Sequence, residues 1–168
     1  MTDAGRATAT TSRGEQFAGQ LEAVNERVIA TVEGCTDEQW LRPTAAEGWP
    51  VGVVVHHISE VQRFFAGVLG ALAAGDVPPA TLSSAFVDEN NARHARDFAS
   101  VGKEETLALL QATGPGLVGL LRGLTDEEFD RTAVEFDGQP LSVAQVAEFA
   151  LAAHFDQHLA SIRTTLAA

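Results

Sequence analysis

Between residues 15 and 32 the apolar side chains fall into a single stripe. Phe17, Leu21, Val24, Val28 and Val32 recur at three- or four-residue steps, the spacing of one helix face. This predicts a helix over Glu15–Val32. "EGCTDEQWLRPTAAEGWP" then breaks the pattern, with Gly34, Pro43 and Gly48 as punctuation. A second helix is predicted from Pro50 or Val51 to about Ala74, since proline is tolerated in a first turn and "AAGDVPP" stops it. In the third region, Phe86 to Leu124, "FVDENNARHARDF" reads as a separate short helix. The remainder is helical, with Ser100 near its N-cap and a kink expected at Pro115. A fourth helix is predicted from Ser142, a good N-cap after "DGQP", to about Leu166. No stretch reads convincingly as a strand. "VGVVVHH" comes nearest, but helical spacing follows it.

"TDEQWLR" (Thr36–Arg42) and "TDEEFDR" (Thr125–Arg131) form a faint internal repeat. Each precedes a loop, a proline and a helix that carries histidines. Long helices joined this way, without strands, predict an all-α fold: a four-helix bundle with long connecting loops. The expected organisation is a disordered tail over residues 1–14 and one domain over 15–168.

Composition narrows the function. With 168 residues and 45% apolar content, one domain can bury a sizeable core. No run of about 18 apolar residues predicts a transmembrane helix. "MTDAGRATATTSRG" lacks the apolar centre of a secretory signal. One cysteine, Cys35, excludes an internal disulfide and suits a reducing cytoplasm; it reads as a small buried hydrophobe. A formal charge of −12, with Lys103 the only lysine and the arginines scattered, argues against nucleic acid as a partner. A homodimer binding a small-molecule substrate is the expected state.

The chemistry is carried by histidines. His154 and His158 in "EFALAAHFDQHLASIR" are four residues apart, so they share a helix face. That face also holds Val143, Val146 or Ala147, and Ala150, the core stripe of the fourth helix. In the second helix His57 aligns with Val54, Val61, Phe64 or Phe65, Val68 and Leu72, so it is expected to point inward. His56 aligns with Glu60 and Arg63 and is expected to point outward. His94, among Asn and Arg, reads as a surface residue, with a fourth ligand or a residue at the site mouth as the alternative. Buried imidazoles must satisfy two nitrogens each. Three inward ones suit Zn²⁺, Ni²⁺ or Fe²⁺ and leave coordination positions open; otherwise they are core histidines.

"GWPVGVVVHHISE" and the C-terminal HxxxH resemble the DinB / YfiT-like superfamily of four-helix bundles, which includes the mycothiol-dependent maleylpyruvate isomerases and related thiol-dependent transferases. Trp49 plus eight is His57, the family's spacing, and "TDEQWLRPTAAEGWPVG" is similar to its loop before the second helix. The resemblance implies a divalent metal held by His57, His154 and His158. It also implies an external low-molecular-weight thiol, of the mycothiol or bacillithiol type, for S-transfer or isomerisation, with hydrolysis as the alternative activity. Around such a site Glu60 is expected to act as base or to pair with His56 or Arg63. Gln157 is expected nearer the inner face, as a donor, and Asp156 in solvent. Arg163 either meets an anionic substrate or complements the helix dipole. Trp40 and Trp49 either cap the core or wall a pocket. The alternative functions are a non-catalytic bundle that binds a metal or small molecule in a stress response, or a helical partner-binding module.

Overall fold

Four long helical stretches form the bundle of this computed structural model, which describes residues 11–75 and 78–168. The expected tail falls largely outside those residues; its last two, Arg13 and Gly14, already belong to the first helix. That helix, α1 (Arg13–Glu33), is capped by Ser12, whose side chain accepts from the Glu15 amide. Its predicted stripe is buried at Leu21, Val24, Val28 and Val32. The bundle is completed by α3 (Val51–Ala74), α5 (Lys103–Gly123) and a C-terminal stretch ending in α8 (His154–Ala167). Helix α5 packs on both α1 and α3, and α8 closes against the same two.

The faint repeat is a pair of capping boxes. Thr36 and Gln39 cap the short α2 (Asp37–Trp40), and Thr125 and Glu128 cap α6 (Asp126–Asp130). In each, side chain and backbone satisfy one another reciprocally, and the aromatic residue, Trp40 or Phe129, is buried in the core.

Three features depart from the sequence expectation. First, a small sheet exists: β1 (Ala80–Leu82) runs parallel to β2 (Thr132–Phe136), which pairs antiparallel with β3 (Gln139–Ser142). "DGQP" begins as the β2–β3 turn, with Asp137 and Gly138 at φ 48° and 76°, the left-handed values a two-residue hairpin needs. These strands are too short for an alternating pattern to stand out. Second, α5 continues as a helix through Pro115. Pro115 is exposed, so the carbonyl one turn earlier, deprived of its amide partner, can turn to water. Its N-cap is Gly102 rather than Ser100. Third, the last helix is not uniform. Ser142 caps α7 (Val143–Gln145) as predicted, but Val146–Ala153 is π-helical before α8 begins at His154.

Among the described residues, no helix is long and apolar enough to cross a membrane. The element that sequence reading placed as a separate short helix is α4 (Ser84–Asp97). Its start is tied to the hairpin by Asp137, which accepts from the Ser84 amide and hydroxyl. His94 is the one residue of α4 that is buried.

Candidate metal centre

Helix α3 starts without a side-chain cap, at Pro50. Its first turns are buried almost on all sides, and His57 is carried among Val53, Val54, Val55 and Ile58. His154 and His158 occupy the first two turns of α8, directly after the π-helical segment. The three rings converge, with centroids 5.6 Å (His57–His154), 5.3 Å (His57–His158) and 4.3 Å (His154–His158) apart. One nitrogen from each lies within 4.8 Å of the other two, a spacing that bonds of about 2 Å can bridge after small ring rotations.

The electrostatics favour neutral rings. Burial, then the neighbouring His158, His154 and His94, pushes His57 down to about 3. Burial and His158 push His154 down to about 4. Both imidazoles therefore keep a lone pair near neutral pH, the form that binds a metal.

The ring of His158 is oriented from the loop before α3. Its Nδ1 lies 2.7 Å from Oε1 of Glu47. Burial alone would raise the Glu47 carboxyl, but hydrogen bonds from His158 and Ser161 outweigh it and hold it at about 2. An ionised carboxylate only accepts, so a proton sits on Nδ1, and in the neutral ring the lone pair is then on Nε2. That Nε2 is buried and has no partner among the described residues. Buried polar atoms are normally satisfied, and here the bare one belongs to the three-histidine group. The chemistry of the donor set fits a divalent cation, and a carboxylate behind a ligating histidine is a recurrent support for one.

The loop is shaped to deliver Glu47. Pro43 and Pro50 form an isolated bridge, the Thr44 amide donates to the Trp49 carbonyl at 2.7 Å, and Gly48 takes φ 69° to close the turn. Helix α8 fixes its far side: the Ala45 and Ala46 amides donate to Thr165 and Ser161 at 3.0 Å, and the Ser161 hydroxyl donates to Glu47 at 2.6 Å. Sequence reading missed Glu47. The only signal was an acidic residue two positions before Trp49, in a stretch treated as punctuation.

The other expected site residues separate into those at the centre and those away from it. Trp49 presents an edge contact to His57, centroids 5.6 Å apart, and so borders the site. Trp40 caps the core, donating through Nε1 to the Val101 carbonyl at 2.9 Å. Glu60 pairs with Arg63 at 2.5 Å and lines the cleft with His57. Gln157 is exposed rather than inward, because one step along a helix turns a side chain about 100° from its neighbour. Asp156, expected in solvent, is exposed and pairs with Arg27 at 2.7 Å. Arg163 is exposed and faces Thr31 of α1, with Nε 3.4 Å from its hydroxyl.

His56 and His94 correct the sequence reading. Both are buried. His56 Nδ1 lies 3.4 Å from His94 Nε2, and the His56 ring stacks on Phe98 with centroids 3.9 Å apart. Helix α4 and the residue after it cover the face of α3 that looked solvent-exposed in isolation. His94 also meets His57, centroids 5.4 Å apart.

A cleft of about 780 Å³ borders the centre, with His57 and His154 among its lining residues. Its walls are largely apolar: Phe64 and Phe65 from α3, Phe86 from α4, Phe98, Val134 and Phe136.

The chain is similar to known proteins over most of its length. The family model of the DinB superfamily matches residues 20–162. YfiT of Bacillus subtilis, named a candidate metal-dependent hydrolase, is 29% identical over 142 residues, covering 84% of this chain and 78% of its own. A protein of Oceanobacillus iheyensis with the same designation is 32% identical over 149 residues, covering 88% and 82%. The solved structure of the Bacillus subtilis YfiT, described as a four-helix bundle of unusual topology, superposes with a TM-score of 0.72. It covers 94% of this chain and 89% of that one at 24% identity.

Proposed function

This chain belongs to the DinB superfamily, and from that premise we propose that it is a divalent-metal-dependent enzyme in which His57, His154 and His158 hold the ion. The observation that carries the reading is the bare, buried Nε2 of His158, oriented by Glu47 toward its two neighbours. A cation of the zinc, nickel or iron kind would supply a Lewis acid there and lower the pKa of a water or thiol beside it.

The chain's own residues do the rest. Glu47 keeps the proton of His158 on Nδ1. The apolar walls of the cleft hold the body of a substrate and exclude water from it. Glu60, on the turn after His57, is the cleft carboxylate on that helix able to take a proton, with Arg63 orienting it.

Hydrolysis is the first reaction to test, because the two curated relatives carry that designation. Thiol transfer is the second reading, motivated by the resemblance of "GWPVGVVVHHISE" and the C-terminal HxxxH to the thiol-dependent members of the superfamily. Cys35 is buried and does not line the cleft, so the thiol would come from outside. The buried free cysteine is in keeping with a reducing cytoplasm, and a homodimer is the assembly light scattering should read.

The decisive experiment is metal content by mass spectrometry on untagged protein, beside a His57→Ala variant. It is followed by ester and amide hydrolysis screens with and without an added small thiol. About one metal per chain, lost in the variant, is the expected result. No uptake of Zn²⁺, Ni²⁺ or Fe²⁺ would overturn the reading and favour a non-catalytic bundle.

A further inference from the structure

Phe64 and Phe86 are 43% and 53% exposed, two of four large apolar side chains left so open among the described residues. Both line the cleft that His57 and His154 also line. Rings held in water forgo burial that folding would otherwise gain, and an apolar patch of this kind marks a binding surface. Neither ring is on a loose segment. Phe64 packs edge-on against Phe65, centroids 5.1 Å apart. Phe86 sits in the first turn of α4, where the Ser83 side chain accepts from its amide and the hairpin holds Ser84.

Charge sharpens the picture. The cleft carries two carboxylates, Glu60 and Asp97, and two guanidiniums, Arg63 and Arg93. They balance, in a chain whose formal charge is −12. Arg63 is taken up by Glu60, and Arg93 donates to the Asn90 side chain at 2.5 Å. In the metal-free protein the charged side chains of the cleft thus sum to zero, while the surrounding surface repels anions. At about 780 Å³ its size is that of a small-molecule site, typically about 300–1,000 Å³.

We infer that the cleft binds an uncharged small molecule with an aromatic or alkyl body, which contacts Phe64 of α3 and Phe86 of α4. The end bearing its polar reacting group points to His57 and His154. The orientation rests on the metal-dependent reading above; the preference for an uncharged apolar body does not.

The test uses metal-free full-length protein and two fluorescent probes of matched shape, N-phenyl-1-naphthylamine and its sulfonate, 1-anilinonaphthalene-8-sulfonate. The uncharged probe should bind at least about tenfold more tightly, and decanol should displace it better than decanoate or decylamine do. Phe64→Ala and Phe86→Ala should each weaken binding about tenfold. Phe149→Ala removes a ring that is 61% exposed but does not line the cleft, and it should leave binding unchanged. Equal or tighter binding of the sulfonate would overturn the inference. So would an equal loss with Phe149→Ala, or no binding of either probe. Probe binding in a protein that takes up no metal would sink the metal reading and leave this one standing; metal uptake without probe binding would do the reverse.

Discussion

Nδ1 of His158 lies 2.7 Å from Oε1 of Glu47, and the opposite nitrogen of the same ring has no partner among the described residues. One contact thus sets both the tautomer and the direction of a lone pair. Removing the carboxylate should cost metal affinity without touching a ligand. Glu47→Ala is expected to weaken zinc binding about 10- to 100-fold. Glu47→Gln, which keeps an acceptor but not the charge, should weaken it less. Chelator competition gives the affinity. Nitrogen chemical shifts of His158 should pass from a single Nδ1–H tautomer to a mixture in Glu47→Ala. Unchanged affinity in both variants would remove Glu47 from the site.

Metal should also register as stability. A ligand of the native state at about 100 times its Kd adds about 2.7 kcal/mol, so zinc should raise the Tm of the wild type. His154→Ala should abolish that rise. In metal-free protein, His57→Leu replaces a buried imidazole by an apolar side chain and should leave stability unchanged or increase it. A large loss of stability in metal-free His57→Leu would mean that the ring serves the core instead.

Acid should destabilise the metal-free protein well before ordinary carboxylates titrate. His57 and His154 stand at about 3 and about 4 when folded, below the 6.5 of an unperturbed histidine. Below 6.5 the unfolded chain therefore binds more protons than the folded one. Stability should be full above that pH and fall as pH drops toward 4, by ~1.4 kcal/mol per pH unit for each histidine still neutral in the fold. Glu47, held at about 2, adds to the loss below its ordinary 4.5. Urea midpoints between pH 7 and 4.5 would measure the slope, which His57→Leu should flatten.

Two glycines of α5 should respond with opposite signs. A Cβ at Gly114 would lie 2.6 Å from Nδ2 of Asn25. That amide cannot simply move, because Gln62 donates to it at 2.5 Å and accepts in turn from Thr113 at 2.8 Å. Gly114→Ala should cost about 1–3 kcal/mol by breaking a buried polar relay. Gly119 meets nothing within 4 Å, so Gly119→Ala should gain up to about 1 kcal/mol of helix propensity. Denaturant unfolding of the two variants decides it.

Much of the fold was legible because its helices bury regular stripes. Val24, Val28 and Val32 of α1 and Val143, Val146, His158 and Ile162 of the C-terminal stretch are buried where the spacing put them. His57 faced inward by the same rule. The rule fails where a second element covers a polar face. His56 shares its side of α3 with Glu60 and Arg63, and only the arrival of α4 buries it, against His94 and Phe98. Glu47 was illegible for another reason: its position depends on a turn closed by Gly48 and stitched to Ser161 and Thr165, residues far away in sequence. The π-helical turns before His154 leave no periodic signature, since eight residues are too few to separate one helical repeat from another.

His154 and His158 lie one helical turn apart, whereas His57 reaches them from across most of the chain. An unfolded polypeptide therefore retains two of the three donors at short range and loses the third. The ion would cling weakly to the denatured ensemble through that pair, and a thermal shift would understate its affinity for the native protein. What folding adds is local concentration: closing a long loop brings one more imidazole to a pair already waiting, at an entropic cost that grows only slowly with loop length.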